Sequence, residues 1–196
     1  MTTDDRLHQQ HYMIRKKIIK ILGQAFHIYD SNGNVVFYSK LKAFKLKEDI
    51  RLYTGEDQTN EVLTIKAQKV LDIRSAYDVI DSKTQRRVGG LRRKALKSIL
   101  KDEWLILDEN EREIGMMQED SMLMALLRRF LINLIPQHFT GTIGGQTVFQ
   151  FHRHFNPFVL RMDMDFSMDT AGLLDRRLGL AAGILVAAIE GRQSDY

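Results

Sequence analysis

The chain has 196 residues, 44% apolar and 28% charged, no cysteine and a formal net charge of +4. That length can bury a substantial core in one domain, and the lack of cysteine excludes disulfides and thiolate metal sites and fits a reducing compartment. The basic excess, with a pI near 9.3, favours phosphate-bearing partners over cationic ones.

The opening MTTDDRLHQQHY is polar and lacks the apolar stretch of a secretory leader, so residues 1–11 are expected to form a loose tail and the cytoplasm is the expected location. A single domain is expected over residues 12–196. A strand is predicted at 13–21, with basic and β-branched residues. Residues 26–38, 76–90 and 103–117 then repeat one pattern: an apolar run ending in Asp30, Asp81 or Asp108, a polar turn, and a second run. A short carboxylate at that place accepts bonds from turn amides two residues on, so each unit reads as a β-hairpin with Asp as turn-former. Residues 43–53 and 61–73 alternate as half-buried strands do.

Between positions 86 and 101 lie Arg86, Arg87, Arg92, Arg93, Lys94, Lys97 and Lys101 with no acid among them. Such a field suits lipid headgroups or nucleic acid, against the plainer reading of a solvated strand face. Arg86, Arg92, Arg93, Lys94 and Lys97 are the candidate phosphate- or lipid-binding residues. Arg15, Lys16, Lys17 and the lysines of 40–47 are possible extensions, although alternation lets only half of such residues share a face.

Residues 121–135 have helical spacing, with Ser121 as N-cap, Pro136 beyond the end, and an apolar stripe through Leu123, Leu127, Phe130 and Leu134. A fourth hairpin is expected over 138–153, turning at Gly144–Gly145. His152 and His154 share one face of its second strand, with His138 on the neighbouring strand. Imidazoles can hold zinc or copper, but with no thiolate near and no evident third ligand these read as edge or surface histidines. No metal and no cofactor are expected. Residues 158–166 form a further strand, with Met162, Met164 and Phe166 opposite Arg161, Asp163 and Asp165.

The chain ends in a helix expected from 170 to 190, capped by Asp169 or Thr170, with Gly191 past its end. From Leu178 to Ile189 it carries no polar side chain. Twelve such residues are too few for a membrane span, which needs roughly 17–25. A helix apolar on every side is a core helix. Two packed helices cannot surround it, whereas a closed sheet of about eleven or twelve strands can. The expected fold is mainly β: a closed antiparallel barrel of about twelve strands around a central C-terminal helix, plus one extra helix near 121–135.

Strand 12–20 (YMIRKKIIK), the Asp-turn hairpins, 88–100 (VGGLRRKALKSIL) leading into Trp104–Asp108, and 174–190 (LDRRLGLAAGILVAAIE) together resemble the Tubby C-terminal-like superfamily. Within it the chain resembles LURP-one-related and phospholipid-scramblase-like proteins. The resemblance implies the same barrel around a C-terminal helix, and it makes the 121–135 helix an insertion between strands. It implies phosphoinositide binding through basic surface residues for Tubby-like domains, and an acidic segment linked to calcium for scramblase-like ones. The nearest counterparts of that segment are Asp163, Asp165 and Asp169. Strand alternation explains the first two and helix capping the third, so no calcium site is expected.

No nucleophile elbow, phosphate loop, dinucleotide fingerprint or His-Glu-x-x-His motif occurs. The expected function is a non-catalytic binding or regulatory module docking on anionic phospholipid or phosphoinositide surfaces. The alternative is a protein–protein adaptor using the 121–135 helix. Lipid translocation ranks below both, because the apolar helix is expected inside the barrel. Nucleic acid is not an expected partner, since no basic recognition helix or interleaved aromatics are visible.

Overall fold

The structure is a computed structural model that describes residues 3–19, 23–41, 49–68, 76–94, 103–120, 137–154 and 159–190. Twelve strands occur among these residues. They are β1 (His11–Ile19), β2 (Gly23–Tyr29), β3 (Val35–Leu41), β4 (Asp49–Tyr53), β5 (Glu61–Ala67) and β6 (Ala76–Asp81). They continue as β7 (Arg87–Arg93), β8 (Glu103–Leu107), β9 (Glu113–Glu119), β10 (Gln137–Ile143), β11 (Gln146–His154) and β12 (Arg161–Asp165). Each strand pairs antiparallel with its neighbour in sequence, and β12 returns to β1 to close the barrel. The described helices are α1 (Thr3–Leu7) and α2 (Arg176–Glu190). The helix expected over 121–135 lies outside the described residues.

The meander gives the barrel two unlike ends. The turns after β2, β4, β6, β8 and β10 lie at one end, and so does the approach from β12 to α2. This is the turn end. Strands β1, β3, β5, β7, β9 and β11 run toward the far end.

The Asp turns form as the sequence predicts. Asp30 Oδ1 accepts the amides of Asn32 and Asn34 at 2.9 and 2.8 Å. Asp108 Oδ1 accepts those of Asn110 and Arg112, both at 2.8 Å. Asp81 Oδ1 accepts the Thr84 amide at 2.7 Å. Each carboxylate satisfies turn donors that would otherwise compete with the ladder.

Helix α2 runs down the barrel axis from the turn end, and every residue from Leu178 to Ala188 is buried. Its fifteen residues span roughly 22 Å. The wall meets it with Ile14, Phe26, Phe37, Ile65, Phe151, Met162 and Met164, all buried in one cluster with the helix. The small residues of α2 are what make the fit possible. A Cβ on Gly183 would overlap Met164 Sδ, and one on Gly179 would lie 2.5 Å from the Phe166 ring.

The helix starts six residues later than the sequence suggests. Asp175 is its cap: its side chain accepts the Arg177 amide at 2.9 Å and its carbonyl accepts those of Leu178 and Gly179. Asp169 instead closes a preceding turn, taking the amides of Leu173 and Leu174 at 2.8 and 3.1 Å. Gly172, with φ of 63°, breaks any helix that would begin at Thr170.

The residues expected as a loose tail hold α1 instead. Arg6 donates to the carbonyls of Val36 at 3.1 Å and Thr54 at 2.7 Å. The Tyr12 hydroxyl donates to the Arg6 carbonyl at 2.8 Å, and Leu7 packs on the core. Burial pushes the Tyr12 hydroxyl up to about 12, against the lowering influence of nearby Arg176.

Candidate functional site

The basic run follows β7 from one end of the barrel to the other. Arg86 is exposed on the β6–β7 turn at the turn end. Arg92, Arg93 and Lys94 close the strand at the far end. At about 3.3 Å per residue, Arg86 stands roughly 20 Å from Arg92, so the structure does not bring Arg86 together with the others. Lys97 lies outside the described residues.

Cross-strand neighbours alter the charge further. Arg87 Nε donates to Asp78 Oδ1 at 2.8 Å, and Nη1 to the carbonyls of Asp108 and Glu109 at 2.7 and 2.9 Å. That guanidinium ties β6 to the β8–β9 turn and is not a free surface cation. Lys94 Nζ lies 3.5 Å from Glu103 Oε2 on β8. Arg92 and Arg93 are half-buried and oppose Leu105 and Trp104, so they fall on opposite faces of the sheet, Arg93 in phase with buried Leu91. Lys16 leaves the proposed extension: it is 4% exposed and faces inward beside Ile14 and Tyr12 in the alternation of β1.

A second polar region lies on the outer wall. A groove of about 680 Å³ crosses β10, β11, β12 and β1. His138 sits directly opposite His152, and His152 directly opposite Asp163. The His138 and His152 rings are 4.1 Å apart between centroids, edge to face, and the His152 and His154 rings 4.5 Å apart. His154 Nε2 lies 2.6 Å from Asp163 Oδ2. Burial, followed by the positive charge that His138 and His154 would carry, holds the His152 imidazole below its ordinary value. The sequence showed His152 and His154 on one face. The register that sets His138 against them required the structure.

A third cluster explains the DRRL segment. Asp175 caps α2, while Arg176 sits with its guanidinium carbon 4.2 Å from the centroid of the Phe166 ring. Arg177 bonds Asp175 through Nε at 3.0 Å and Nη2 at 2.6 Å, and reaches Asp81 Oδ2 through Nη1 at 2.6 Å. Leu178 enters the core under Gly89, where a Cβ would be only 3.1 Å from its methyl. Each of the four residues therefore has a mechanical task in seating the helix.

These carboxylates set an acid limit. Burial acts to raise Asp30, Asp81 and Glu61, but hydrogen bonds from turn amides, hydroxyls and guanidinium groups outweigh it, and all three end below their ordinary values. A group depressed by folding stabilises above its unfolded value and loses that contribution as pH falls through its folded one. His152 is depressed too, so its contribution is lost first, below about 6.5. The melting temperature should therefore decline slightly from pH 6.5 and steeply below about pH 4.5, measured by circular dichroism. His152→Gln should remove only the first decline.

Among the described residues, no helix is long and apolar enough to cross a membrane. A closed meander of twelve antiparallel strands threaded by its own C-terminal helix is the architecture of the Tubby C-terminal-like superfamily, as expected from the sequence. The LURP-one-related family model matches residues 10–187, and the chain belongs to that family. No curated protein and no solved structure matches it.

Proposed function

We propose that the protein is a non-catalytic binding module whose far end docks on anionic phospholipid or phosphoinositide surfaces. The observation that carries this reading is the course of β7, which brings Arg92 and Lys94, on one face of the sheet, to the end opposite the tight turns, with Arg93 between them on the other face. From there the acid-free run continues in sequence through Lys97 to Lys101. Lys40 lies near the close of β3 at the same end, and Lys42, Lys45 and Lys47 follow it in sequence. Arg86, at the turn end, is not part of the proposed surface. An end-on geometry suits a flat charged membrane, because cations at the ends of several strands can reach it at once, each adding about 1 kcal/mol near an anionic surface.

Vesicle sedimentation tests it. Binding to phosphatidylserine-rich vesicles should exceed binding to phosphatidylcholine vesicles and should weaken as salt rises. Arg92→Glu with Lys94→Glu should cut binding at least about tenfold at low salt, by replacing two attractions with two repulsions. Arg86→Glu should have little effect. Binding indifferent to anionic lipid and salt would overturn the reading and leave the adaptor function, through the 121–135 segment, in its place.

A further inference from the structure

We infer that the outer wall of the barrel carries a divalent transition-metal site built on His138, His152 and His154, with Asp163 as its supporting carboxylate. This inference rests on observations separate from those behind the far-end surface proposed above.

The argument starts from backbone position. On one face of an antiparallel pair, directly opposed residues have Cβ atoms about 4.5–5.5 Å apart, and diagonal neighbours lie within about 7–8 Å. His138 and His152 are such an opposed pair. His154 follows two residues along the same face. Three imidazoles so placed form a tripod, and rings projecting from its corners can bring one nitrogen each to a common point about 2.0–2.1 Å from a zinc-sized ion.

In the present side-chain arrangement the rings lie against one another, edge to face and tilted, with centroids 4.1 and 4.5 Å apart. Among the described residues no group of three His, Cys, Asp or Glu side chains is placed to hold a metal ion as they stand, so binding requires the rings to turn. They have room to do so: His138 is exposed, His152 and His154 are half-buried, and all three face the groove. The His154 Nε2 contact with Asp163 Oδ2 directs Nδ1 to the metal. It supplies the carboxylate–imidazole pairing that fixes ring orientation and raises ligand basicity at metal centres.

Electrostatics select a cation over an anion. Asp30, Asp120, Asp163 and Asp165 line the groove against one guanidinium, Arg161. Of the two other titratable groups there, His11 lies 3.3 Å from Asp165 through Nδ1, and Tyr12 is a buried, neutral phenol. With neutral imidazoles this wall is net negative, which attracts a divalent ion and opposes a phosphate. Nitrogen ligands with carboxylate support select zinc, copper(II), nickel or cobalt over calcium or magnesium, which prefer all-oxygen sites.

The test is titration of the tag-free chain with zinc chloride by calorimetry and with cobalt chloride by visible absorption. One ion per chain is expected, with cobalt showing the intense d–d bands of four-coordination. His138→Gln, His152→Gln and His154→Gln should each weaken zinc binding at least about tenfold, and Asp163→Asn about tenfold. His152→Cys, which keeps a ligand, should retain binding, and His8→Gln should leave it unchanged. Circular dichroism should show all variants folded, because these side chains are not in the core. Binding of zinc weaker than millimolar by the unmodified chain would overturn the proposal. So would a His152→Gln variant that binds zinc and gives the cobalt spectrum as before.

Discussion

Gly183→Arg should abolish folding. Gly183 lies in the middle of α2, buried on every side. A Cβ there already overlaps Met164 Sδ and sits 3.5 Å from Ile14 Cδ1 and Met162 Cε. An arginine would add overpacking to an uncompensated charge. Overpacking alone costs about 1–3 kcal/mol, and an unpaired buried charge several kcal/mol more. A domain of this kind has only about 5–15 kcal/mol in total. The variant should be recovered unfolded, without near-ultraviolet dichroism from the buried Trp104. Ala171→Arg, at an exposed turn position just before the helix, controls for charge and should behave as the unmodified chain. Gly183→Ala should cost about 1–2 kcal/mol net. It gains about 1 kcal/mol of helix propensity but forces Met164, whose unbranched thioether can partly yield. A soluble Gly183→Arg protein with an unchanged melting curve would mean that the helix is not sheathed by the sheet.

The centre of the fold was readable because one segment admitted few solutions. Residues 178–189 lack polar groups on any side, are too short to span lipid and must be surrounded, and only a closed sheet of many strands surrounds a helix. The Asp turns were readable because their chemistry is local, two to four residues along the chain. Helix capping was read less well. Asp169, Thr170 and Asp175 all suit a cap, and the choice was made by Gly172 adopting a positive φ, a conformation that leaves little trace in side-chain pattern.

The candidate sites depend on register, and register is where the sequence ran out. The acid-free stretch from 86 to 101 suggested a basic patch, with only half of its residues able to share a face. The fold answers it with Asp78 and Glu103 from adjacent strands, and with a strand long enough to part Arg86 from Arg92. His138 stands fourteen positions before His152. Whether they oppose each other depends on the tight turn at Gly144–Gly145 and on the irregularity between Gly141 and Thr142. Shifting the pairing by one residue would put them out of register. The contact from Arg177 to Asp81 crosses 96 positions, and only the closing of the barrel makes those residues neighbours.

That contact carries the second large expected effect. Arg177 is the fastening between the mouth of α2 and the β6–β7 turn. Its bidentate bond to Asp175, then its bond to Asp81, raise its already high proton affinity against the opposing influence of burial. Its side chain is 31% exposed and that of Asp81 17%, so solvent screens part of the attraction, and the 3–5 kcal/mol typical of breaking a fully buried pair is an upper bound. Arg177→Met should cost about 2–3 kcal/mol. The methylene stem is largely kept, but Asp81 retains a charge that the Thr84 amide and hydroxyl must then satisfy. Asp81→Ser should cost about as much, since it removes the same ion pair and weakens the Asx turn. In urea denaturation the double variant should be less destabilised than the sum of the two by about 1–2 kcal/mol, the coupling expected of charged groups in direct contact. Additivity within about 0.5 kcal/mol would show that the pair does not anchor the helix. The cycle also separates seating from packing. Arg177→Met leaves every core side chain in place, so the folded variant should keep its near-ultraviolet spectrum. The amides at the start of α2 should exchange with solvent faster, while those around Gly183 stay protected.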